Sequence, residues 1–340
     1  MPSLRDPVSA FCDSWILEAR PAKNEVSSSR PYAHTIEKER SADGALVDVA
    51  TLFLTNKECP FRCLMCDLWK NTTDETVDPG AIPAQIRWAL DRLPPARHIK
   101  LYNSGNFFDP AAIPEDDYSA IADLVAPFET VVVESHPKMV GRRCLEFGAL
   151  LRGDLHVAMG LETVHPAVLA RLNKRMTLDD FAAAVQTLTT NGMQARAFIL
   201  LRPPFLDEEE GVEWCRRSLD FAFDVGVECC AIIPTRSGNG VMEILEREGH
   251  FAPPSLASLE AVFDYGLGLG KGRVFVDLWD IEKLALAEEA GTPRVQRLAR
   301  MNLSQQIEPL EQSALSCSGR PPVAAVGYKG CSTLRTPHDK

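Results

Sequence analysis

Seven short runs rich in apolar and β-branched residues recur along this chain, and longer amphipathic stretches separate them. The runs cover 49–55, 98–103, 130–134, 155–160, 195–201, 228–233 and 273–278, with helical patterns at 82–93, 116–126, 138–151, 178–191, 208–224 and 256–267. That alternation is the βα rhythm of a parallel sheet. The runs are almost continuously apolar, as strands covered on both faces are. Thr177 with Asp180 three residues on predicts a capping box, and Asn191-Gly192 predicts a helix stop. The chain therefore reads as an α/β fold of six or so βα units over 46–280. Residues 1–45 read as an N-terminal extension whose 9–20 segment can be helical, with Phe11, Trp15 and Ile16 on its apolar side. Residues 281–340, with a helix at 281–290 and then five scattered prolines, read as an irregular C-terminal cap. Periodicity alone does not separate a partial barrel from a doubly wound sheet.

The first run leads into Thr55-Asn56-Lys57-Glu58-Cys59-Pro60-Phe61-Arg62-Cys63-Leu64-Met65-Cys66-Asp67. Three cysteines here follow C-x3-C-x2-C. Four thiolates would close a cubane iron–sulfur cluster or a structural zinc, whereas three leave one metal corner open for chemistry. The paired C-x2-C rhythm of zinc ribbons is missing, and the next histidine in the chain is His98. The loop sits at the C-terminal end of a strand, where α/β barrels and open sheets place their active sites.

This loop resembles the signature of the radical S-adenosylmethionine (radical SAM) superfamily. The resemblance implies a 4Fe–4S cluster held by Cys59, Cys63 and Cys66, with SAM chelating the fourth iron. It implies a partial (β/α)6-type TIM barrel. It also implies reductive cleavage of SAM to a 5′-deoxyadenosyl radical that takes hydrogen from substrate, and an electron donor such as flavodoxin or ferredoxin. Met65 fits the apolar residue usual before the third cysteine.

Each later strand ends in polar residues that a barrel's top face would collect. After the second run stands Ser104-Gly105-Asn106, ordinary turn chemistry, in the place where the family brings backbone groups to the SAM amine. The common Gly-Gly-Glu is absent. Glu134 ends the third run and is costly to bury unpaired; His136 beside Pro137 reads as a surface residue. Glu162 ends the fourth run and is expected at the SAM ribose or amine. Arg202 ends the fifth; its guanidinium suits the SAM carboxylate or a substrate anion, or else a salt bridge to Glu134 or Glu162. The sixth run opens into Thr235-Arg236-Ser237-Gly238-Asn239-Gly240. Asp67, Lys70 and Lys174 are weaker candidates, and Lys174 reads as a solvated helix end.

Gly160-Leu161-Glu162-Thr163, Leu172-Asn173-Lys174, Phe198 to Phe205 and Gly238-Asn239-Gly240 are similar to the radical SAM subunit of archaeosine synthase. More distant likeness runs to the elongator catalytic subunit and methylthiotransferases. The resemblance, over roughly 50–280, implies carbon–nitrogen lyase chemistry on a modified 7-deazaguanine nucleoside or tRNA.

Composition limits the partners. Net charge is −11, which argues against a broad grip on nucleic acid, since phosphate contacts need Lys and Arg. From Gly291 onward seven Lys/Arg face three Asp/Glu; the preceding residues carry 29 against 44. Such a basic tail is usually solvated. The ten cysteines follow no disulfide framework, which points to a reducing compartment. With no signal pattern and no apolar span, the cytoplasm is the expected location and no membrane partner is expected. Cys317 and Cys331 are too few for a second cluster. Two further readings stay open: a radical SAM enzyme for a small metabolite or peptide, and a non-catalytic metal-binding protein on the same fold.

Overall fold

Eight strands lie side by side in chain order: β1 (Ala33–Arg40), β2 (Leu46–Phe53), β3 (His98–Tyr102), β4 (Thr130–Glu134), β5 (Asp154–Glu162), β6 (Gln194–Leu201), β7 (Cys229–Pro234) and β8 (Arg273–Val276). In this computed structural model residues 11–286 and 291–309 are described. β1 pairs antiparallel with β2, and every later pair is parallel. A doubly wound sheet reverses its order at a switch point. An unbroken order means that every crossover puts its helix on the same face, so the sheet curls around the other face into a half-barrel.

The crossovers carry α2 (Ala81–Leu90), α3 (Tyr118–Val125), α4 (Arg142–Leu150), α6 (Leu178–Thr190), α7 (Glu208–Asp224) and α9 (Leu256–Leu269), with α1 (Asp13–Glu18) before the sheet. Three short helices join them: α5 (Pro166–Arg171), α8 (Val241–Arg247) and α10 (Glu282–Ala285). The capping box of Thr177 and Asp180 forms as the sequence predicts, and Gly192 stops α6 at φ +73°. Outward strand residues such as Leu52, Leu101, Val133, Val157 and Ile199 pack with Ile86, Ile121, Phe147, Leu188 and Phe263 of the helices in one core. At about 25 cal/mol per Å² of apolar surface this layer supplies the bulk of the driving force.

The inner face is polar at its lower end. Glu39 of β1 accepts from Lys100 Nζ of β3 at 2.5 Å, Arg196 Nη1 of β6 at 3.0 Å and Arg273 Nη1 of β8 at 3.3 Å. Strands so far apart in the sheet order touch only across the curl. Burial alone would raise the Glu39 carboxyl, but Lys100 and Arg196 more than reverse it and hold the group ionised well below the carboxylate range. Burial, then Arg196, press His156 down to about 2, so it stays neutral beside the guanidinium. Above this floor Tyr32, Phe53, Tyr102 and Phe198 form a row, with centroids 5.7, 6.1 and 6.3 Å apart in turn.

Two elements depart from the sequence reading. Residues 33–40, placed in the extension, form β1; its inner positions Glu37 and Glu39 are charged, so no apolar alternation betrayed it. Residues 291–304, placed in the irregular cap, form α11 (Gly291–Ser304), whose Leu298 and Met301 are buried; Pro293 stands in its first turn, where no amide donor is missed. α11 finishes the sheet. Gln305 just beyond it accepts from Val274 N and donates to Val274 O, and Asn302 does the same for Val276, at 2.7–2.9 Å. Two side-chain amides thus pair the outer edge of β8 as a ninth strand would. Cys317, Cys331 and the rest of the tail lie outside the described residues.

Candidate functional site

The cysteine loop follows β2 and is pinned from all sides through its backbone. Arg62 Nη1 holds the carbonyls of Cys59 and Phe61. Asn173 Nδ2 donates to Arg62 O at 2.8 Å, and Leu64 N donates to Leu172 O at 2.9 Å. Asn239 Nδ2, from the loop after β7, donates to Leu64 O at 2.8 Å and Cys66 O at 3.2 Å, while Trp69 Nε1 reaches Cys66 O at 3.0 Å. The N-terminal segment joins in: Asp13 accepts from Asn173, and Arg20 and Lys23 pair with Glu58 at 2.7 and 2.8 Å. With so many carbonyls engaged by outside donors, the loop is rigid before any ligand arrives. Met65 packs beside the apolar cluster of Ile16, Leu64, Leu172, Val241 and Met242.

The three cysteines are half-buried, and their thiols lie in one another's field. Burial pushes Cys59 up to about 11 and Cys63 and Cys66 up to about 12; Cys66 adds to this at Cys59, Cys59 at Cys63, and Cys63 at Cys66. Lys174 pulls Cys59 and Cys63 the other way. Such thiols hold their protons until a metal cation takes the place of those protons. Among the described residues no three His, Cys, Asp or Glu side chains converge on a point fit for a single ion. A cluster asks for something else, because each thiolate takes a different iron corner. A sulfur donor set with Asn106 Nδ2 3.1 Å from Cys59 Sγ fits that group.

The turn after β3 presses against the loop. A Cβ on Gly105 would come within 3.2 Å of Cys59 Cβ, tighter than an ordinary contact, so glycine eases this approach. Ser104 takes φ +54°, and its hydroxyl meets the Tyr32 hydroxyl at 2.9 Å. Glu134, 9% exposed, accepts from Asn103 N at 2.7 Å and Gly105 N at 3.3 Å. Burial nevertheless lifts its carboxyl to about 7, the backbone N–H groups of Asn103, Gly105 and Ser104 opposing. Asn106 donates to Cys59 and accepts from His136 N at 2.6 Å.

His136 is not a surface residue. It is 5% exposed, stacks on Phe61 at 3.8 Å, and burial followed by Lys174 holds it down to about 4. Its Nδ1 accepts from Lys138 N at 3.2 Å, so the neutral ring carries its proton on Nε2 and donates to Lys174 O at 2.9 Å.

Lys174 is not a solvated helix end either. It is 7% exposed, and its Nζ meets Glu162 Oε1 at 2.5 Å. The pair lies over Gly160, where any Cβ would stand 2.0 Å from the carboxylate and 2.2 Å from the ammonium. Glu162 reaches it through a register shift in β5 and φ +64°. Burial favours the neutral amine, but Glu162 and Cys63 hold Lys174 charged, above the ordinary lysine range. Only a two-carbon glycine and a residue two places on in a strand hinted at this in the sequence.

Arg202 goes elsewhere. Its guanidinium pairs with Glu208 at the start of α7 and donates to Pro253 O at 2.8 Å, not to Glu134 or Glu162. At φ +52° it turns outward, and Gly211 lets α7 close onto it, since a Cβ there would meet Arg202 Cβ at 2.8 Å. Lys174, not Arg202, is thus the cation paired with Glu162. Ser104, Glu162 and Arg202 each hold a left-handed backbone at a strand's C-terminal end, costing roughly 1–3 kcal/mol apiece.

No family profile matches the chain. A protein of Methanocaldococcus jannaschii described as uncharacterized is 21% identical over 247 residues, 68% of either chain. Archaeosine synthase subunit beta of Methanosarcina acetivorans is 27% identical over 209 residues, 58% of this chain and 59% of that one. The chain thus matches less than two thirds of that subunit's length. Among solved structures, methylornithine synthase superposes at TM-score 0.49 with 13% identity, over 74% of this chain and 68% of its own. The three-cysteine loop and the singly wound half-barrel thus stand in a chain whose sequence is similar to archaeosine synthase beta subunits.

Proposed function

We propose that the chain is a radical SAM enzyme whose cluster is held by Cys59, Cys63 and Cys66. The observation that carries this reading is a loop pinned through its backbone that presents three half-buried cysteines at the C-terminal end of β2. Cys59, Cys63 and Cys66 would hold such a cluster, which when bound would supply the electron for reductive cleavage of SAM. The chain's own residues bind and orient. Ser104 and Gly105 offer backbone beside the thiols, Glu134 and Glu162 offer carboxylates for the SAM ribose and amine, Lys174 offers a cation for its carboxylate, and Met65 an apolar wall. In this reading the catalytic barrel runs from β1 to α11, wider at both ends than the 46–280 expected from the sequence.

The likeness to an archaeosine synthase subunit supports a carbon–nitrogen lyase acting on a modified 7-deazaguanine nucleoside or tRNA. The net charge of −11 favours a second reading, a small metabolite or peptide substrate, or tRNA held by a companion chain. No helix among the described residues is long and apolar enough to cross a membrane. Free thiols and an oxygen-labile cluster suit the cytoplasm, with a flavodoxin- or ferredoxin-type electron donor.

The test is anaerobic reconstitution with iron and sulfide, then SAM and dithionite. The parent protein should turn brown and release 5′-deoxyadenosine, and Cys59→Ala should do neither. Persistent SAM cleavage in that variant, or tetrahedral zinc in oxygen-free parent protein, would end the proposal. Salt-dependent retention of tRNA by the purified chain separates the two substrate readings.

A further inference from the structure

We infer that Asn106 is a positioning residue that sets the reduction potential of the cluster through a single hydrogen bond to Cys59. The inference rests on the reading of the loop as a cluster site.

The orientation of the Asn106 amide is forced. Its oxygen lies 2.6 Å from His136 N, and a backbone N–H can only donate. The oxygen must face that N–H, so the NH2 group must face the other way, toward Cys59 Sγ at 3.1 Å. Asn106 is 2% exposed, so water does not compete for either end. The elements behind it are fixed as well. His136 stacks on Phe61 of the cysteine loop and bonds to Lys174 O. Gly105 lets the turn approach Cys59, and Glu134 anchors the turn through two backbone amides. The donor is thus held in place before the cluster arrives.

Hydrogen bonds to ligand sulfurs are one of the levers that set cluster potentials. One electron from an external reductant adds negative charge to the cluster and its sulfurs, with no proton required from Asn106. A donor aimed at Cys59 Sγ stabilises that added charge, the more so in a dry site. Loss of the donor therefore makes reduction harder. An acidic side chain of the same shape would repel the thiolate and make it harder still.

The experiment is an EPR-monitored redox titration of anaerobically reconstituted full-length protein without SAM, comparing the parent with Asn106→Leu, Asn106→Ser and Asn106→Asp. Iron and sulfide content is measured for each. For Asn106→Leu we expect parental iron and an about tenfold lower ratio of reduced to oxidised cluster at the parent's midpoint, about 59 mV for one electron. Asn106→Ser, with a hydroxyl donor, should recover part of this, and Asn106→Asp should fall at least as far as Asn106→Leu. Loaded Asn106→Leu and Asn106→Ser proteins with the parental midpoint would overturn the inference. So would folded variants that hold no cluster at all while the parent does, since Asn106 would then build the site rather than tune it. If the parent itself loads no iron, the cluster reading fails instead.

Discussion

At the level of single residues the site is organised by buried charge. Glu134 shows the consequence for stability. In the unfolded chain this carboxyl ionises near its ordinary 4.5, whereas the fold keeps it protonated up to about 7. The folded state therefore holds more protons through that window, and stability falls as pH rises from about 4.5 to 7, then levels off. Glu134→Gln keeps an oxygen for the Asn103 and Gly105 amides and removes the titration. Urea unfolding of cluster-free protein should show the variant gaining on the parent by up to about 3 kcal/mol between pH 5 and pH 8. Equal pH slopes for the two proteins would show that Glu134 does not titrate in this range. The three cysteines and Glu134 were legible in the sequence because spacing, or a lone carboxylate ending an apolar run, marks them. Lys174 and His136 were not: each follows an unremarkable loop, and only tertiary closure buries them. The pairing of Arg202 with Glu208 was not legible, because a strand-end position says nothing of which way a left-handed residue turns its side chain.

Among the elements, those announced by periodicity were readable and those defined by partners were not. α6 and α7 carry long amphipathic patterns with capping boxes at Thr177 and Asp207, and their bounds follow from the sequence to within a residue. β1 is hidden because Glu37, Lys38 and Glu39 answer charges on other strands. α11 matters less for its own pattern than for Asn302 and Gln305. These amides occupy both hydrogen-bonding groups of Val274 and Val276, which would otherwise offer an open template to another chain. Replacing both by Leu should cost about 2–4 kcal/mol by leaving partly buried backbone groups unpaired. It should also produce concentration-dependent association in light scattering. A variant that stays monomeric with an unchanged Tm would show that the edge needs no cover.

For the molecule as a whole, the curl of the sheet is fastened by ions. Glu39 gathers Lys100, Arg196 and Arg273 from three strands, and Arg273 Nη1 also donates to Arg40 O at 2.6 Å, tying the last strand to the first. Glu39→Gln takes from Arg196 its carboxylate and leaves Lys100 and Arg273 with Glu37 and Glu228 alone, and a loss of about 3–5 kcal/mol is expected. The loss should persist in 1 M salt, because buried charges are screened little. Urea titrations at low and high salt check both points, and a cost below about 1 kcal/mol, or one erased by salt, would mean the floor is not closed by these charges. Chain-order topology could not be read from spacing alone, since the same βα rhythm serves a doubly wound sheet; the ambiguity is lifted by contacts between residues more than 150 positions apart.

The packed, fully neutralised floor has a consequence for traffic. Among the described residues these side chains shut the lower end of the half-barrel, so a guest comes to the thiols from the C-terminal side of the strands rather than from beneath.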